Sequence, residues 1–321
     1  MAKASIIIPV YNVHNYVQKT IESAIKQSES DIEIILVDDG STDGSGELCD
    51  SFAKTDKRIK VIHKENGGLS SARNCGVNIA SSEYVMFLDG DDYLNKNAVS
   101  TVLQAAEKYK SDIIQFHYTE VQKDKAPQET ATGQEIFQAS SPRELFKNLY
   151  KTGGEYASGC TKLYKKDLLL RIPFIDIQHE DEMWCTQAFA QPLTVTYIPD
   201  SLYYYVMREN SIVHTSFNRR KLDIFQVIQK RIEALQKLQL NDLMRFEYTR
   251  LFTAIVMLYC DAKKSGDKEA LNTVKRQFAD NKESIKKCGD IKGKLLLVFK
   301  MMCMNYHLIW FYGFYSNLRK H

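Results

Sequence analysis

Acidic residues crowd together at two places in the first third of the chain, each directly after a short apolar run. Asp38-Asp39-Gly40-Ser41-Thr42-Asp43 follows the run 32–37, and Asp89-Gly90-Asp91-Asp92 follows the run 84–88. Carboxylate oxygens are the ligands that Mg²⁺ and Mn²⁺ prefer in proteins. The crowding therefore indicates a divalent-cation site, although either cluster taken alone is also typical of a solvated turn.

Two further polar clusters follow apolar runs in the same region. Pro9-Val10-Tyr11-Asn12 ends the first run, and Asn66-Gly67-Gly68 follows the third, with Arg73 close behind it. Asn-Gly-Gly is ordinary turn sequence, and a lone arginine on a helix is most often a surface cation. Ligands bind at the carboxyl ends of the strands in a parallel α/β sheet. Four clusters at such ends, in order, therefore predict one shared site.

Alternating strand and helix patterns must position these clusters. Apolar, β-branched runs predict strands at 5–10, 32–37, 59–62, 84–88 and 113–117. Helical spacing predicts helices at 13–26, 42–53, 69–79 and 97–109. Strands separated by helices predict βαβ units around a mostly parallel sheet. The pattern becomes wholly helical near residue 218, so we predict a catalytic α/β domain over 1–218 and a helical region over 219–321.

The composition is that of an ordinary globular protein. Hydrophobic residues make up 44% and charged residues 26%, and the net charge is +3. Such a balance argues against a nucleic-acid partner. The seven cysteines are scattered without a C-x-x-C pair, which argues against structural zinc and indicates a reducing compartment. The first residues lack a signal-peptide core, so we expect a cytoplasmic protein.

The four motifs PVYN, VDDGSTDGS, NGGLSSARN and FLDGDD resemble those of family 2 of the inverting glycosyltransferases, which have the GT-A fold. They occur in the family's order, and the resemblance covers roughly residues 4–210. It implies a metal-dependent enzyme that moves a hexose or N-acetylhexosamine from a UDP-sugar. The acceptor would be a hydroxyl of a glycan or lipid-linked glycan in bacterial polysaccharide synthesis.

The resemblance also implies roles for individual residues. Tyr11 would lie near the uracil base, and Asp39 would accept a hydrogen bond from a uracil N–H. In the Asp-x-Asp motif, Asp89 would face the ribose and the metal, and Asp91 would ligate Mn²⁺ or Mg²⁺. Asp181, in the run His-Glu-Asp-Glu, would be the general base. The other residues that the resemblance assigns to nucleotide-sugar binding are Pro9, Asn12, Asn66, Gly67, Arg73, Gly90, Arg208 and Ser211.

Several alternatives stay open on the sequence alone. Acidic residues are favoured in the first turn of a helix, so Asp181 has a helix-stabilising role as its alternative. Two roles are open for Trp184: it forms a platform for an acceptor sugar, or it packs in the core. A nucleotidyltransferase would show a Gly-rich loop after the first strand, and a dehydrogenase would show G-x-G-x-x-G; neither is present. A non-catalytic nucleotide- or glycan-binding module is the remaining rival.

The last stretch of the sequence is apolar and flanked by basic residues. Residues 295–315 contain few polar side chains, among them Lys300 and His307. A membrane-spanning helix wants about 20 nearly uncharged residues, so this stretch is borderline. An interior charge and basic flanks favour a helix lying in the membrane interface. We therefore expect peripheral contact through 291–318 with the inner face of the cell membrane, with a homo-oligomer seam or a core helix as alternatives.

Overall fold

The structure is a computed structural model that describes residues 2–122, 135–151, 155–207 and 217–287. The chain divides into two compact units, Met1–Thr215 and Ser216–His321. Two of the predicted site residues, Arg208 and Ser211, lie outside the described residues, as does the apolar stretch 291–318.

The first unit is an α/β structure around one sheet. Its strands are β1 (Ala4–Val10), β2 (Ile32–Asp38), β3 (Ile59–His63), β4 (Tyr84–Phe87), β5 (Tyr93–Leu94), β6 (Ile113–Gln122), β7 (Phe137–Ala139), β8 (Lys162–Lys165) and β9 (Val195–Met207). Its helices are α1 (His14–Ile25), α2 (Ser45–Ala53), α3 (Leu69–Ile79), α4 (Ala98–Tyr109), α5 (Pro142–Lys151), α6 (Lys166–Arg171) and α7 (Glu180–Phe189).

The nine-stranded sheet is mixed, in the order β3-β2-β1-β4-β8-β6-β9-β5, with β7 also paired to β9. The four strands β3, β2, β1 and β4 run parallel, and β8 joins β4 and β6 in antiparallel pairing. Every residue of β1 and β2 is buried, as expected for parallel strands with both faces covered. The predicted GT-A fold class is confirmed; in the second half of the sheet β6 and β9 run parallel, while β5, β7 and β8 pair with their neighbours in antiparallel fashion.

The parallel register places the predicted polar clusters on one edge. Val10 at the end of β1 lies opposite Asp38 at the end of β2, and Asp38 lies opposite His63 at the end of β3. Helix α3 packs against β1 and β2, so the residues on its inner face lie next to these strand ends. The loops that follow the strands therefore start from a common rim.

The second unit is helical where it is described. It contains α8 (Ile224–Lys237), α9 (Met244–Ser265) and α10 (Lys268–Lys287). Arg231 of α8 and Glu247 of α9 are both buried and form an ion pair with a 3.3 Å separation. Within the described ranges, no helix has both the length and the apolar character needed to cross a membrane.

Candidate active site

The loops that follow β1 and β2 are joined by hydrogen bonds around Asn12. This residue adopts a left-handed conformation with φ of 51°, which asparagine tolerates better than most residues. Its backbone N–H donates to Ser41 Oγ at 3.2 Å, and its side-chain oxygen accepts from the Thr42 N–H at 2.9 Å. The preceding residue, Tyr11, is 51% exposed. The turn therefore presents an aromatic ring at the surface beside β2.

Asp39 joins the end of β2 to the loop after β3. Its side chain is buried, one carboxylate oxygen accepts from Lys64 and from the Gly67 N–H, and the other accepts from the Gly68 N–H at 2.7 Å. Gly68 has a φ of 82°, a conformation that favours glycine. Asn66, beside these glycines, is exposed. The carboxylate thus fixes the predicted Asn-Gly-Gly loop against the strand ends.

The Asp-Gly-Asp turn after β4 is packed against the end of β1. A Cβ atom on Gly90 would lie 2.8 Å from the Pro9 carbonyl oxygen, so only glycine fits there. The Gly90 carbonyl accepts from Thr20 Oγ1 of α1 at 3.0 Å. The flanking Asp89 and Asp91 are both partly exposed. The turn therefore holds two carboxylates at the rim with a fixed backbone.

Arg73 lies between the carboxylates of the rim. Its Nη1 donates to Asp181 Oδ1 at 2.6 Å and to Glu180 Oε1 at 3.1 Å, and its Nη2 donates to Asp89 Oδ1 at 3.2 Å. The side chain is only 1% exposed. The interpretation of Arg73 as a surface cation is therefore wrong. One guanidinium connects the turn after β4 with the start of α7, which are remote in sequence.

Charge and aromatic rings hold the Arg73 guanidinium in place. Burial alone would lower its pKa, but Asp181, Asp89 and Glu180 hold the pKa well above its usual value. The rings of Phe87 and Phe174 lie 5.5 and 5.3 Å from the guanidinium carbon, a distance at which a cation is attracted to a ring face. The cation is thus permanently charged and rigidly held.

Asp181 is held by groups outside its own helix. It lies in the first turn of α7, but its side-chain hydrogen bonds go to Arg73 and to the Gly159 N–H, which donates to Oδ2 at 2.8 Å. A Cβ atom on Gly159 would lie 2.7 Å from Asp181 Oδ1. The carboxylate remains 23% exposed. It is therefore oriented by two donors and still accessible to a substrate.

The neighbouring Glu180 has a different electrostatic environment. Burial raises its pKa, and the negative charge of Asp181 raises it further, while Arg73 acts in the opposite direction. His179, which precedes it, has a φ of 70°, and its Nδ1 lies 3.6 Å from Glu182 Oε1. The start of α7 therefore places two acidic side chains, those of Glu180 and Asp181, against the Arg73 guanidinium.

Helix α3 also positions the segment that leads into α7. Ser70 Oγ donates to the Ile175 carbonyl at 2.8 Å, and the Asn74 amide exchanges hydrogen bonds with the backbone of Phe174 at 2.7 and 3.0 Å. Ser70, Arg73 and Asn74 are spaced three and four residues apart, so they share one helix face. The motif SSARN therefore acts as a platform for residues 174–181.

Asp92, the last acid of the turn after β4, points inward. It accepts from the phenol of Tyr203 at 2.6 Å and from the Val206 N–H at 2.8 Å. Burial, together with the nearby charge of Asp89, raises the pKa of Asp92 to about 7. The Tyr203 phenol oxygen in turn accepts from the Asp89 N–H at 3.3 Å. Asp92 therefore anchors the turn to β9.

The chemistry of the rim fits a divalent cation that takes its remaining ligands from a substrate. Among the described residues, no group of three His, Cys, Asp or Glu side chains is arranged to hold a metal ion. Mg²⁺ sites commonly use only one or two carboxylates together with substrate phosphates and water. Asp89 and Asp91 offer two carboxylates of that kind on one turn. The donor set suits Mg²⁺ or Mn²⁺ bound together with a diphosphate.

Most of the predicted site residues lie along one rim of the first unit, and other residues complete the site. Trp184 is buried, donates to the Ile172 carbonyl at 2.7 Å and stacks on Phe174, so it is a core residue. Sequence reasoning missed Gly159 and Lys162, which lie beside Asp181. The available signal was a lysine at the start of a short apolar segment, Lys162-Leu-Tyr, but no motif drew attention to it.

Comparison with known proteins identifies the family. The model of glycosyl transferase family 2 matches residues 5–172. Glycosyltransferase GlyG of Streptococcus pneumoniae serotype 4 is 33% identical over 237 residues, which are 71% of this chain and 79% of GlyG. The minor teichoic acid biosynthesis protein GgaA of Bacillus subtilis is 46% identical over 104 residues, which are 30% of this chain and only 23% of GgaA.

A solved structure shows the same fold. The crystal structure of S. aureus TarS 1-349 in complex with UDP matches with a TM-score of 0.67 at 20% identity, covering 93% of this chain and 87% of that one. A crystal structure of the same protein in complex with UDP-GlcNAc matches with a TM-score of 0.58 at 20% identity, covering 87% and 92%. The family match extends over more than half of the residues, and the match to GlyG spans most of both chains. The chain therefore belongs to glycosyl transferase family 2.

Proposed function

We propose that this protein is an inverting glycosyltransferase that uses a UDP-sugar and Mg²⁺ or Mn²⁺. The observation that supports this most is the shared guanidinium of Arg73, which pairs with Asp89 and with Asp181. This arrangement places Asp89, a carboxylate suited to the metal side of a nucleotide diphosphate, next to Asp181, a separate carboxylate that remains accessible. Single displacement requires that separation, because the base must act on the acceptor and not on the leaving group.

In the proposed reaction, Asp181 accepts the proton of an acceptor hydroxyl while that oxygen forms a bond to C1 of the sugar. The bond between C1 and the phosphate oxygen breaks, and UDP leaves with the electron pair. A carboxylate oxygen has two lone-pair directions, so Asp181 can accept this proton while retaining its bonds to Arg73 and Gly159. A bound divalent cation would neutralise charge that develops on the diphosphate.

Asp89 and Asp91 would hold the cation, and Tyr11 and Asp39 would bind the uridine. TarS was crystallised with UDP and with UDP-GlcNAc, which supports a uridine nucleotide as the donor of this chain. The name of GgaA supports an acceptor among surface polysaccharides, such as a glycan or lipid-linked glycan. The cytoplasm and the inner face of the membrane, where nucleotide sugars are available, are the expected location.

The test is UDP release from a panel of UDP-sugars, with Mn²⁺, with Mg²⁺ and with excess EDTA. We expect one or a few donors to be turned over only with metal, and Asp91→Asn to lose most turnover while keeping its fold. Unchanged turnover in EDTA would exclude the metal requirement. A protein that binds UDP but turns over no donor would favour the non-catalytic binding module.

A further inference from the structure

Lys162 is a buried lysine without a role in the reaction described above. It is the first residue of β8, and its side chain is fully buried. Its ammonium donates to the Ser158 carbonyl oxygen. Burial lowers the pKa of Lys162, whereas nearby acidic groups, including Asp181, act to raise it. Burying an ammonium group costs free energy unless neighbouring groups compensate its charge. The groups that contact Lys162 therefore indicate its role.

The carbonyl group that Lys162 contacts belongs to the same peptide group as the N–H that Asp181 contacts. The Ser158 C=O accepts from Lys162, and the Gly159 N–H donates to Asp181 Oδ2 at 2.8 Å. The C=O and N–H of a trans peptide point in opposite directions, so the ammonium and the carboxylate lie on opposite sides of one peptide group. Hydrogen bonds in such a chain polarise one another. A cation on the carbonyl therefore strengthens the N–H as a donor to the carboxylate.

The two oxygens of Asp181 are thus supported by two different cations. Arg73 donates directly to Oδ1, and Lys162 acts on Oδ2 through the peptide group. The next peptide group is held separately, because the phenol of Tyr164 donates to the Gly159 carbonyl at 2.9 Å. Lys162 and Tyr164 therefore hold the peptide groups before and after Gly159, respectively. Of these two peptide groups, only the one that Lys162 contacts also donates a hydrogen bond to Asp181.

We propose that Lys162 is a positioning residue for Asp181: through the Ser158–Gly159 peptide group it fixes the orientation of this carboxylate and favours its ionised state. The consequence for catalysis rests on the proposed function, in which Asp181 is the base. The effect on the carboxylate itself does not. Within the described ranges, the charged and titratable groups that act on Asp181 are Arg73 from α3, Lys162 and Tyr164 from β8, Glu180 from α7, and Cys160, while Asp89 contacts the other nitrogen of Arg73.

The direct test is the titration of Asp181 in the full-length protein without ligands. Protein labelled with ¹³C at aspartate carboxyl carbons is titrated by NMR, and the signal missing from Asp181→Asn identifies the residue. Lys162→Met keeps the volume and removes the charge. We expect it to raise the titration midpoint of Asp181 by about one pH unit, because a nearby positive charge favours the ionised form.

Two further variants separate charge from packing. Lys162→Gln keeps a hydrogen-bond donor but not the charge, so it should raise the midpoint too, and it replaces Lys162→Met if that variant does not fold. Tyr164→Phe removes the contact to the next peptide group, so it should leave the midpoint unchanged. Thermal melting followed by circular dichroism reports the folding of each variant. An unchanged midpoint in the Lys162 variants overturns the proposal, as does an equal shift in Tyr164→Phe.

The same variants test the link to catalysis, with UDP-GlcNAc as the donor and water as the acceptor. In Lys162→Met, the acidic limb of the kcat profile for UDP release should move to higher pH, with UDP binding retained. If the midpoint moves but Asp181→Asn releases UDP at the rate of the unsubstituted protein, the role of Lys162 stands and the assignment of the base fails.

Discussion

Three carboxylates share one guanidinium at the rim of this sheet, and that arrangement determines the local electrostatics. Arg73 pairs with Asp89, Glu180 and Asp181, so negative charge exceeds positive charge around it. Burial and the negative charge of Asp181 raise the pKa of Glu180, and Arg73 opposes them. The excess of negative charge would also favour a divalent cation near Asp89, because opposite charges attract strongly in a partly buried site. The cluster therefore carries the charge that would attract the proposed cation.

The two acids at the start of α7 should differ in their importance for transfer. Asp181→Asn should lower the rate of sugar transfer about 10²-fold or more, because an amide cannot accept the proton. Glu180→Gln is the matched control, since it neutralises the other α7 acid that contacts Arg73. It should lower the rate of sugar transfer much less. Steady-state transfer rates, with UDP affinity measured by calorimetry, check both. Equal losses in the two variants would contradict the assignment of the base to Asp181.

The stereochemistry of the product offers a second check on that assignment. Attack on the face of C1 opposite the leaving group converts an α-linked UDP-sugar into a β-linked product. The anomeric coupling constant in the NMR spectrum of the product reports its configuration. An α-linked product would exclude single displacement with Asp181 as the base.

Gly159 has no room for a side chain, so its substitution should affect the site directly. In Gly159→Ala the new Cβ would lie 2.7 Å from Asp181 Oδ1 and 3.3 Å from Arg73 Nη1. We expect the rate of sugar transfer to fall at least tenfold, because even a small displacement of a catalytic group lowers the rate strongly. Gly266→Ala is the control: it meets no atom within 4 Å but has a φ of 76°, so it should lower stability and spare activity.

Sequence reasoning found the acids of this site but not the way in which they are held. The polar clusters after the strands indicate Asp89 and Arg73, and the family resemblance indicates Asp181. The partners of Arg73 could not be found in this way, because Glu180 and Asp181 lie 107 and 108 residues away. Ion pairs between such distant positions leave no local pattern. The same holds for the contact between Gly159 and Asp181.

At the scale of elements, the loops after β2 and β3 act as one unit because Asp39 joins them. We expect calorimetry to show that UDP binds more tightly than GDP or ADP, and that Asp39→Ala removes this preference. The same substitution should weaken all three nucleotides, since the Gly67 and Gly68 N–H groups lose their acceptor. Lys64→Met is the control: it removes a donor to Asp39 but keeps the carboxylate, so the preference should persist. Equal affinity for the three nucleotides in the unsubstituted protein would contradict the uridine pocket.

The opposite ends of the strands are joined by Glu33 of β2. Its carboxylate accepts from Ser5 of β1 at 2.6 Å, from Lys60 of β3 at 2.7 Å and from the Ser81 N–H before β4 at 2.6 Å. Burial alone would raise the pKa of Glu33, but these hydrogen bonds lower it from 4.5 to about 2. A lowered pKa in the folded state stabilises the protein above the unfolded pKa, and this contribution is lost as the pH falls.

Glu33→Gln should therefore lower the free energy of unfolding at pH 7, by about 3 kcal/mol from the size of the pKa shift. The difference from the unsubstituted protein should narrow as the pH falls from about 4.5 toward about 2. Urea denaturation over this range measures it. Glu22→Gln, which breaks an exposed pair with Lys26, is the control and should change stability by less than about 0.5 kcal/mol. A decrease in the free energy of unfolding of Glu33→Gln that does not vary with pH would contradict this account.

The parallel strands β1 to β4 could be predicted closely, and the short strands β5, β7 and β8, which pair in antiparallel fashion, could not. Helix α3 begins and ends as its apolar spacing predicts, and β1, β2 and β4 differ from prediction by one residue or so. Strand β8 has four residues and no alternating pattern, so its place between β4 and β6 depends on tertiary pairing. That strand carries Lys162, which explains why part of the site was missed.

At the scale of the whole molecule, the apolar stretch 295–315 lies outside the described residues, so its role stays a prediction from the sequence. It contains Lys300, and Lys292, Lys294, Arg319 and Lys320 flank it. Basic residues next to an apolar segment are attracted to anionic lipid headgroups, by about 1 kcal/mol each. An acceptor carried on a lipid would also require the enzyme to work at a membrane surface. Both arguments favour peripheral membrane contact over a seam between subunits.

Flotation with liposomes tests this prediction. The full-length protein should float with anionic vesicles at low salt and lose that association at high salt, because the attraction is screened by ions. A chain ending near Asp290 should not float. The control in the full-length protein is the pair of substitutions Lys292→Glu and Lys294→Glu, which should weaken flotation without removing any apolar residue. If neither length of chain floats and the full-length protein is a stable dimer in light scattering, the stretch is a subunit interface.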